Sequence, residues 1–105
     1  MDVLQGTLDL IVLKLLTAGA QHGWAISHSI RQASGDLLQV SQGSLYPALH
    51  RLEDDGLIEG EWVMSETQRR VKQYRLTRRG RDRLAAERTA WRDYARAVDL
   101  ILELP

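Results

Sequence analysis

The spacing of apolar residues changes along this chain, and the order of those changes restricts the fold more than any other feature. Leu45, Leu49 and Leu52 recur at the spacing of one helix face. Residues 57–64 and 71–76 instead alternate in part between apolar and polar side chains, as half-buried strands do. The sequence therefore predicts a helix that is followed directly by a β-hairpin.

Two more helices are predicted before this one, and a short extended segment separates them from it. Residues 4–18 and 23–33 carry apolar side chains at helical spacing, and the second helix ends at Ser34 and Gly35. Residues 37–40 form the extended segment. Because residues 4–18 are apolar on more than one face, we expect a second subunit to cover part of that helix.

The third helix and the hairpin have recognisable boundaries. Ser41 is a typical N-cap residue, and Gly56 is a typical helix stop. The polar segment 65–70 is too long for a two-residue turn, so we expect the hairpin to project a flexible loop, the wing. Trp62 and Tyr74 are expected to pair across the two strands as part of the core.

A long helix is predicted for the C-terminal segment, with Thr77 as its N-cap. Its apolar residues form a seam at seven-residue spacing: Leu84, Trp91, Tyr94, Val98 and Ile101. A helix of about 25 residues would be nearly 40 Å long, which exceeds the core that a chain of this size can build. We therefore divide the chain into a domain at residues 1–76 and a dimerisation helix at residues 77–105.

Composition allows one small domain and excludes several classes of site. The 105 residues include 14 basic and 14 acidic side chains and no cysteine. Disulfides and thiolate zinc sites are therefore excluded, and a reducing, cytoplasmic location is expected. The apolar residues 3–16 include Asp9 and Lys14 and are too few to span a membrane. With zero net charge, nucleic-acid binding would require local segregation of charge.

The predicted order of helix, helix, helix, strand, strand and helix is mainly α with a small β-hairpin wing, an α+β class. It is the order of a winged helix-turn-helix followed by a long C-terminal dimerisation helix. In that architecture the third helix faces the major groove of DNA and the hairpin lies beside it.

Four segments resemble the PadR-like family of winged helix-turn-helix transcriptional regulators. They are LQGTLDLIVLKLL at residues 4–16, HGWAI at 22–26, QGSLYPALHRLEDDGLIEGEW at 42–62 and RRVKQYRLTRRGRDRL at 69–84. The resemblance implies a repressor that binds operator DNA as a dimer, with the C-terminal helix supplying much of the dimer contact. Trp24 stands where the family pattern has tyrosine, and the single C-terminal helix matches the short subfamily.

Candidate DNA-binding residues lie on two elements. The exposed face of the third helix offers Gln42, Ser44, Tyr46, Pro47, His50 and Arg51. Residues 69–83 hold eight basic side chains against the single acid Asp82, and Arg69, Arg70 and Lys72 are assigned to the wing. Alternatives remain open: Ser44 as a cap only, Tyr46 packed on a neighbouring helix, and His50 as an ordinary exposed histidine. Arg75 to Arg83 could pair with the acidic run 53–55 or simply keep the last helix soluble.

Dimer packing is assigned to apolar residues of the first and last helices. They are Leu4, Leu8, Ile11, Leu84, Trp91, Tyr94, Val98 and Ile101. Trp91 is also the candidate residue for a small aromatic effector, since the resemblance implies effectors that are often small aromatic or amphipathic molecules. The three histidines have no metal-ligand spacing, and the sequence contains no phosphate loop or catalytic triad motif, so neither a metal, a cofactor nor enzymatic activity is predicted.

These features predict a sequence-specific transcriptional regulator, a repressor, that binds a pseudo-palindromic operator in double-stranded DNA as a homodimer. Two alternatives share the fold. One is a winged-helix module for protein contacts, which the zero net charge and Glu59, Glu61 and Glu66 on the hairpin would favour. The other is a ligand-sensing dimer whose DNA binding a small aromatic molecule releases.

Overall fold

The computed structural model describes residues 1–4 and 6–105. They form four α-helices and a three-stranded antiparallel sheet, with a 3₁₀ turn after the first helix. The helices are α1 (Leu8–Leu15), α2 (Gly23–Ala33), α3 (Gln42–Asp54) and α4 (Arg78–Leu102). The strands are β1 (Gln21–His22), β2 (Ile58–Met64) and β3 (Arg70–Leu76). The predicted α+β order is confirmed, with β1 as an addition.

The first helix is shorter than the sequence predicted, because α1 begins at Leu8 and not at Leu4. Gly6 has a φ of 89°, which lies outside the helical range, so the predicted helix cannot run through this residue. The chain upstream is extended: the Val3 amide donates to the Gln39 carbonyl at 3.1 Å. The predicted helix also included Gln5, which lies outside the described residues. The predicted extended segment 37–40 therefore lies beside the N-terminal residues of the chain, a contact that the sequence pattern did not reveal.

The sheet has the order β1, β3, β2, and its register corrects one prediction about the core. Tyr74 lies opposite Gly60, whereas Trp62 lies opposite Lys72. Tyr74 is buried, but Trp62 remains 57% exposed. The expected Trp62–Tyr74 pair is therefore wrong, because the hairpin extends beyond the end of the core and carries Trp62 with it.

A single hydrophobic core lies between the helices and the base of the sheet. The predicted helix stripe of Leu45, Leu49 and Leu52 is fully buried in it. Leu84 of α4 also belongs to this core and is only 9% exposed. The assignment of Leu84 to the dimer interface is therefore corrected, because its own chain already covers it.

The last helix packs against the rest of the chain along its N-terminal part, as far as Tyr94. Leu84 and Arg88 line one groove against α1, and Trp91 lines a second groove with Leu10. The remaining turns project, which gives the molecule extents of 59 × 29 × 22 Å. Across residues 1–4 and 6–105, no helix combines the length and apolar character that a membrane crossing needs.

Candidate nucleic-acid interface

The N-terminus of α3 is capped and exposed. The Ser41 Oγ accepts a hydrogen bond from the Ser44 amide at 3.2 Å, and the Ser41 hydroxyl donates to Ser44 Oγ at the same distance. Ser41 therefore serves as the N-cap, as predicted, and Ser44 takes part in the cap. Gln42 and Ser44 are both exposed beside the free N–H groups of the first turn, an arrangement that suits phosphate oxygens.

Pro47 leaves an acceptor free on the same face of α3. Proline has no N–H, so the carbonyl of Gly43, four residues earlier, lacks its intrahelical donor. Gly43 is exposed and a Cβ at this position would meet nothing closer than 3.9 Å. The exposed face of α3 therefore has no side chain at its centre. Gly43 belongs to the candidate interface, although the sequence analysis did not name it.

Tyr46 packs on a neighbouring helix, which is one of the two alternatives for this residue. Its ring packs on Gly23 at the start of α2, so closely that a Cβ on Gly23 would lie 2.8 Å from the Tyr46 hydroxyl oxygen. The side chain is nevertheless 44% exposed. Tyr46 thus holds α2 against α3 while part of its surface remains available to a ligand.

His50 and Arg51 have acidic partners within the chain. His50 Nε2 lies 3.6 Å from an Asp54 carboxylate oxygen, and the Arg51 guanidinium forms an ion pair with Asp9 of α1. Both side chains remain exposed, so they can still reach a ligand. The acids Asp54 and Asp55 follow at the C-terminal end of α3, which makes its N-terminal half the better surface for a polyanion.

The wing loop is closed by its own hydrogen bonds, whereas the sequence predicted a flexible loop. The Ser65 amide donates to the Arg69 carbonyl at 2.8 Å, and the Arg69 amide donates to Ser65 Oγ at 3.2 Å. Gln68 takes a positive φ of 59°, which allows the chain to reverse. The loop therefore presents Arg69 and Arg70 from a defined turn.

Arg69 and Arg70 are the free cations of the wing. Neither forms an ion pair within the part of the chain that the structure describes. The Arg70 guanidinium lies 5.2 Å from the centre of the Trp62 ring, a cation–π distance. Trp62, which was predicted to be a core residue, therefore supports an exposed arginine.

Lys72, the third predicted wing cation, is engaged by α3. Its Nζ lies 2.7 Å from Glu53 Oε1, and Glu53 Oε2 accepts a hydrogen bond from the Gly60 amide at 3.0 Å. The hydrogen bond from Lys72 lowers the pKa of Glu53 most, burial opposes it, and the Gly60 amide lowers it further. The same hydrogen bond raises the pKa of Lys72. Lys72 is thus less available to a ligand than Arg69 and Arg70.

Among the described residues, none of the arginines from Arg75 to Arg83 forms an ion pair with the acidic run 53–55. That alternative is therefore wrong for Arg75 and Arg83, which have other partners. Arg75 binds Glu59 at 2.7 Å across the hairpin, and Arg83 lies 3.9 Å from Glu87 one turn along α4. Glu59, Glu61 and Arg75 lie on the outer face of the hairpin, which is the face away from α3. Two of the acids that would interrupt a positive surface therefore lie on the opposite face from Trp62 and Lys72.

The inner face of the hairpin forms a recess of about 460 Å³ against α2 and α3. Its lining consists of His22, Gly23, Trp24, Tyr46, Trp62, Arg70, Val71, Lys72 and Tyr74, and so includes no carboxylate among the described residues. The recess connects the first turns of α3 to the wing. The surface of the recess therefore combines hydroxyl, imidazole, aromatic and cationic groups.

The start of α2 borders this surface. His22 caps the helix, since its Nδ1 accepts a hydrogen bond from the Ala25 amide at 3.3 Å. Trp24, which replaces the tyrosine of the family pattern, is exposed and stacks on His28 with 5.3 Å between ring centres. Nowhere in residues 1–4 and 6–105 do three metal-ligating side chains (histidine, aspartate or glutamate) converge on one point.

The residues assigned to a dimer interface divide between the core and an exposed apolar surface. Leu8, Ile11 and Val98 are half-buried, whereas Leu4, Tyr94 and Ile101 are exposed. Trp91 and Tyr94 also line a recess of about 530 Å³ with Leu4, Thr7 and Leu10.

A family model supplies the first comparison with known proteins. The model of the transcriptional regulator PadR-like family matches residues 12–86. An uncharacterised protein of Lysinibacillus sphaericus is 28% identical over 102 residues, which are 97% of this chain and 94% of that protein. A transcriptional regulator of Mycobacterium tuberculosis is 49% identical over 61 residues, which are 57% of this chain and 55% of that protein.

Solved structures agree with the family model. A transcriptional regulator from Clostridium thermocellum superposes with a TM-score of 0.86 at 29% identity, covering 94% of this chain and 93% of that one. A PadR-like transcriptional regulator from Bacillus cereus gives 0.80 at 26% identity and covers 96% of both chains. The predicted resemblance and the predicted lack of enzymatic activity are confirmed by these relatives: the chain belongs to the PadR-like family of transcriptional regulators.

Proposed function

We propose that this regulator binds operator DNA through α3 and the wing, and that it acts as a repressor. The observation that carries the proposal is the surface from the α3 N-terminus across the recess to Arg70. The recess brings Tyr46, in the second turn of α3, together with Arg70 of the wing, while Glu59 and Glu61 lie on the other side of the hairpin. Phosphate binding by such a surface needs local positive charge and does not need a basic chain.

The roles within this surface follow from its chemistry. Gln42 and Ser44 are proposed to meet base edges and phosphates in the major groove, and Arg69 and Arg70 to bind the flanking backbone. Two copies of α3 would occupy successive major grooves about 34 Å apart on an inverted repeat. The wing then supplies affinity with little sequence information, and α3 supplies the sequence preference.

Selection from a pool of randomised duplexes tests this proposal. The purified protein is titrated against the pool at two salt concentrations, and the bound fraction is sequenced. We expect enrichment of an inverted repeat and an affinity that falls as salt rises. Absence of binding at micromolar protein, whatever the salt concentration, would contradict DNA binding and favour the protein-interaction alternative.

The proposed dimer places the projecting half of α4 against a second copy. Tyr94 is 67% exposed on this helix, and Ile101 and Leu102 beyond it are exposed to a similar extent. A helix with this much uncovered apolar surface is typical of an oligomer interface. Burial of these residues against their symmetry mates would hold the two copies of α3 at a fixed separation.

Replacing Tyr94 by glutamate should dissociate the dimer. The substitution places a charge at two symmetric points of a dehydrated seam, so we expect the dimer dissociation constant to rise about 100-fold. Sedimentation equilibrium measures that constant directly. Arg96→Glu is the matched control, because Arg96 lies on the side of α4 away from the seam and should leave the dimer intact. Equal dissociation constants for wild type and Tyr94→Glu would contradict this assignment of the interface.

A further inference from the structure

The outer part of the wing has little support from the core. The strand β1 pairs with β3 only at Gln73 and Tyr74, so beyond these residues the hairpin is a two-stranded ribbon. Towards the loop the side chains of Trp62 and Met64 are exposed. A two-stranded ribbon in water is marginally stable and twists easily. Something other than core packing must therefore set the direction in which Arg69 and Arg70 point.

Glu53 reaches the ribbon where this support ends. Its carboxylate accepts the Gly60 amide of β2 through Oε2 and the Lys72 ammonium of β3 through Oε1, at 3.0 and 2.7 Å. Gly60 lies opposite Tyr74, one of the two β3 residues that pair with β1, and Lys72 is the first residue of β3 beyond that pairing on the loop side. Among the described residues, Glu53 is the one member of α3 that forms hydrogen bonds with the hairpin.

The local sequence accommodates this contact. A Cβ on Gly60 would lie 2.3 Å from Lys72 Cε and 2.7 Å from Glu53 Oε2, so only glycine leaves room for both side chains. Lys72 also lies over the Tyr74 ring, at 5.6 Å from its centre. Glu53 and Lys72 are both half-buried, so solvent screens their interaction less than it would at the surface.

We infer that Glu53 is a positioning residue, which fixes the wing relative to α3 and thereby sets where Arg69 and Arg70 meet DNA. Its effect on DNA rests on the proposed function, whereas its effect on the hairpin does not. Glu53 itself touches no DNA in this scheme. Lys72 and Gly60 are its partners, and Lys72 acts within the protein and not as a phosphate ligand.

Hydrogen exchange of the free protein tests the effect on the hairpin. In Glu53→Ala, amides of peptides spanning residues 61–73 should exchange about tenfold faster, while those of α1 and α2 keep the wild-type rate. Glu59→Ala is the matched control, because it removes a carboxylate and its arginine pair from the other face of the hairpin. Unchanged exchange in residues 61–73, or acceleration throughout the chain, would overturn the inference.

A double-mutant cycle on DNA tests the consequence. Glu53→Ala should weaken binding about tenfold and remove most of the further loss caused by Arg69→Ala with Arg70→Ala, since the wing is then already misplaced. Additive losses would overturn the effect on DNA, because a merely destabilised protein still uses both arginines. Gly60→Ala, which displaces the same two side chains, should reproduce the coupling. If wild type binds no DNA, the proposed function fails, and the exchange data alone decide whether Glu53 positions the wing.

Discussion

Alanine in place of Gly80 should strongly lower the stability of this protein, because the added methyl group would collide with the backbone of a neighbouring segment. A Cβ at Gly80 would lie 2.0 Å from the Leu57 carbonyl oxygen and 2.7 Å from Leu76 Cδ1. Since the first of these contacts is backbone, no rotamer change relieves it, and α4 must move away from the hairpin. We expect a loss of about 3 kcal/mol in the free energy of unfolding, at the upper end for overpacking.

Thermal and denaturant unfolding measure this loss. A change of that size lowers the Tm by about 12 °C or more in a domain of this length. Gly43→Ala is the matched control: it adds the same methyl group inside a helix, where the nearest atom is 3.9 Å away, and should leave stability unchanged or raise it slightly. An unaltered Tm in Gly80→Ala would mean that α4 does not approach Leu57 as closely as described.

The double substitution of Arg69 and Arg70 by alanine should cause the largest loss of DNA affinity. Both side chains are exposed and unpaired within the described residues, so each is free to displace one counterion from DNA. Removing two phosphate contacts should weaken binding about 50-fold near 0.1 M salt and reduce the slope of log affinity against log salt by nearly 2. Fluorescence anisotropy titrations at several salt concentrations give both quantities.

Arg78→Ala with Arg79→Ala is the control for this measurement, since it removes the same charge from the start of α4. We expect this control to bind with nearly the affinity of wild type. If it loses as much affinity as the wing variant, total charge and not the wing supplies the binding. A salt slope that stays at the wild-type value in the wing variant would exclude Arg69 and Arg70 as phosphate ligands.

The helical core was predictable because its signal is periodic and local. Leu45, Leu49 and Leu52 share one face of α3 whatever surrounds it, so spacing alone identified them as buried. Ser41 as an N-cap followed from a local rule too. A serine hydroxyl just before a helix can accept a hydrogen bond from the free N–H three residues later. The order of the elements then limited the fold to a winged helix.

The position of each side chain on the hairpin was less predictable, because it depends on register and on where the core ends. Trp62 and Tyr74 both have the character of core aromatics, but the pairing of Tyr74 with Gly60 leaves Trp62 outside. Lys72 and Tyr74 are two residues apart on one strand, and this spacing could have indicated that both side chains lie on the face towards α3. Nothing in the spacing, however, marks Glu53 as the acid that Lys72 meets.

The sequence by itself determined the helices and the hairpin, since these depend on contacts between near neighbours in the chain, and its motifs identified the family. Only the tertiary structure decided which cations are free to bind a partner. Lys72 and Arg75 are engaged by Glu53 and Glu59, acids that lie 19 and 16 residues away, while Arg70 rests on Trp62. An ion pair depends on distance in space, and these distances are fixed only when the two strands pair and the hairpin folds back against α3.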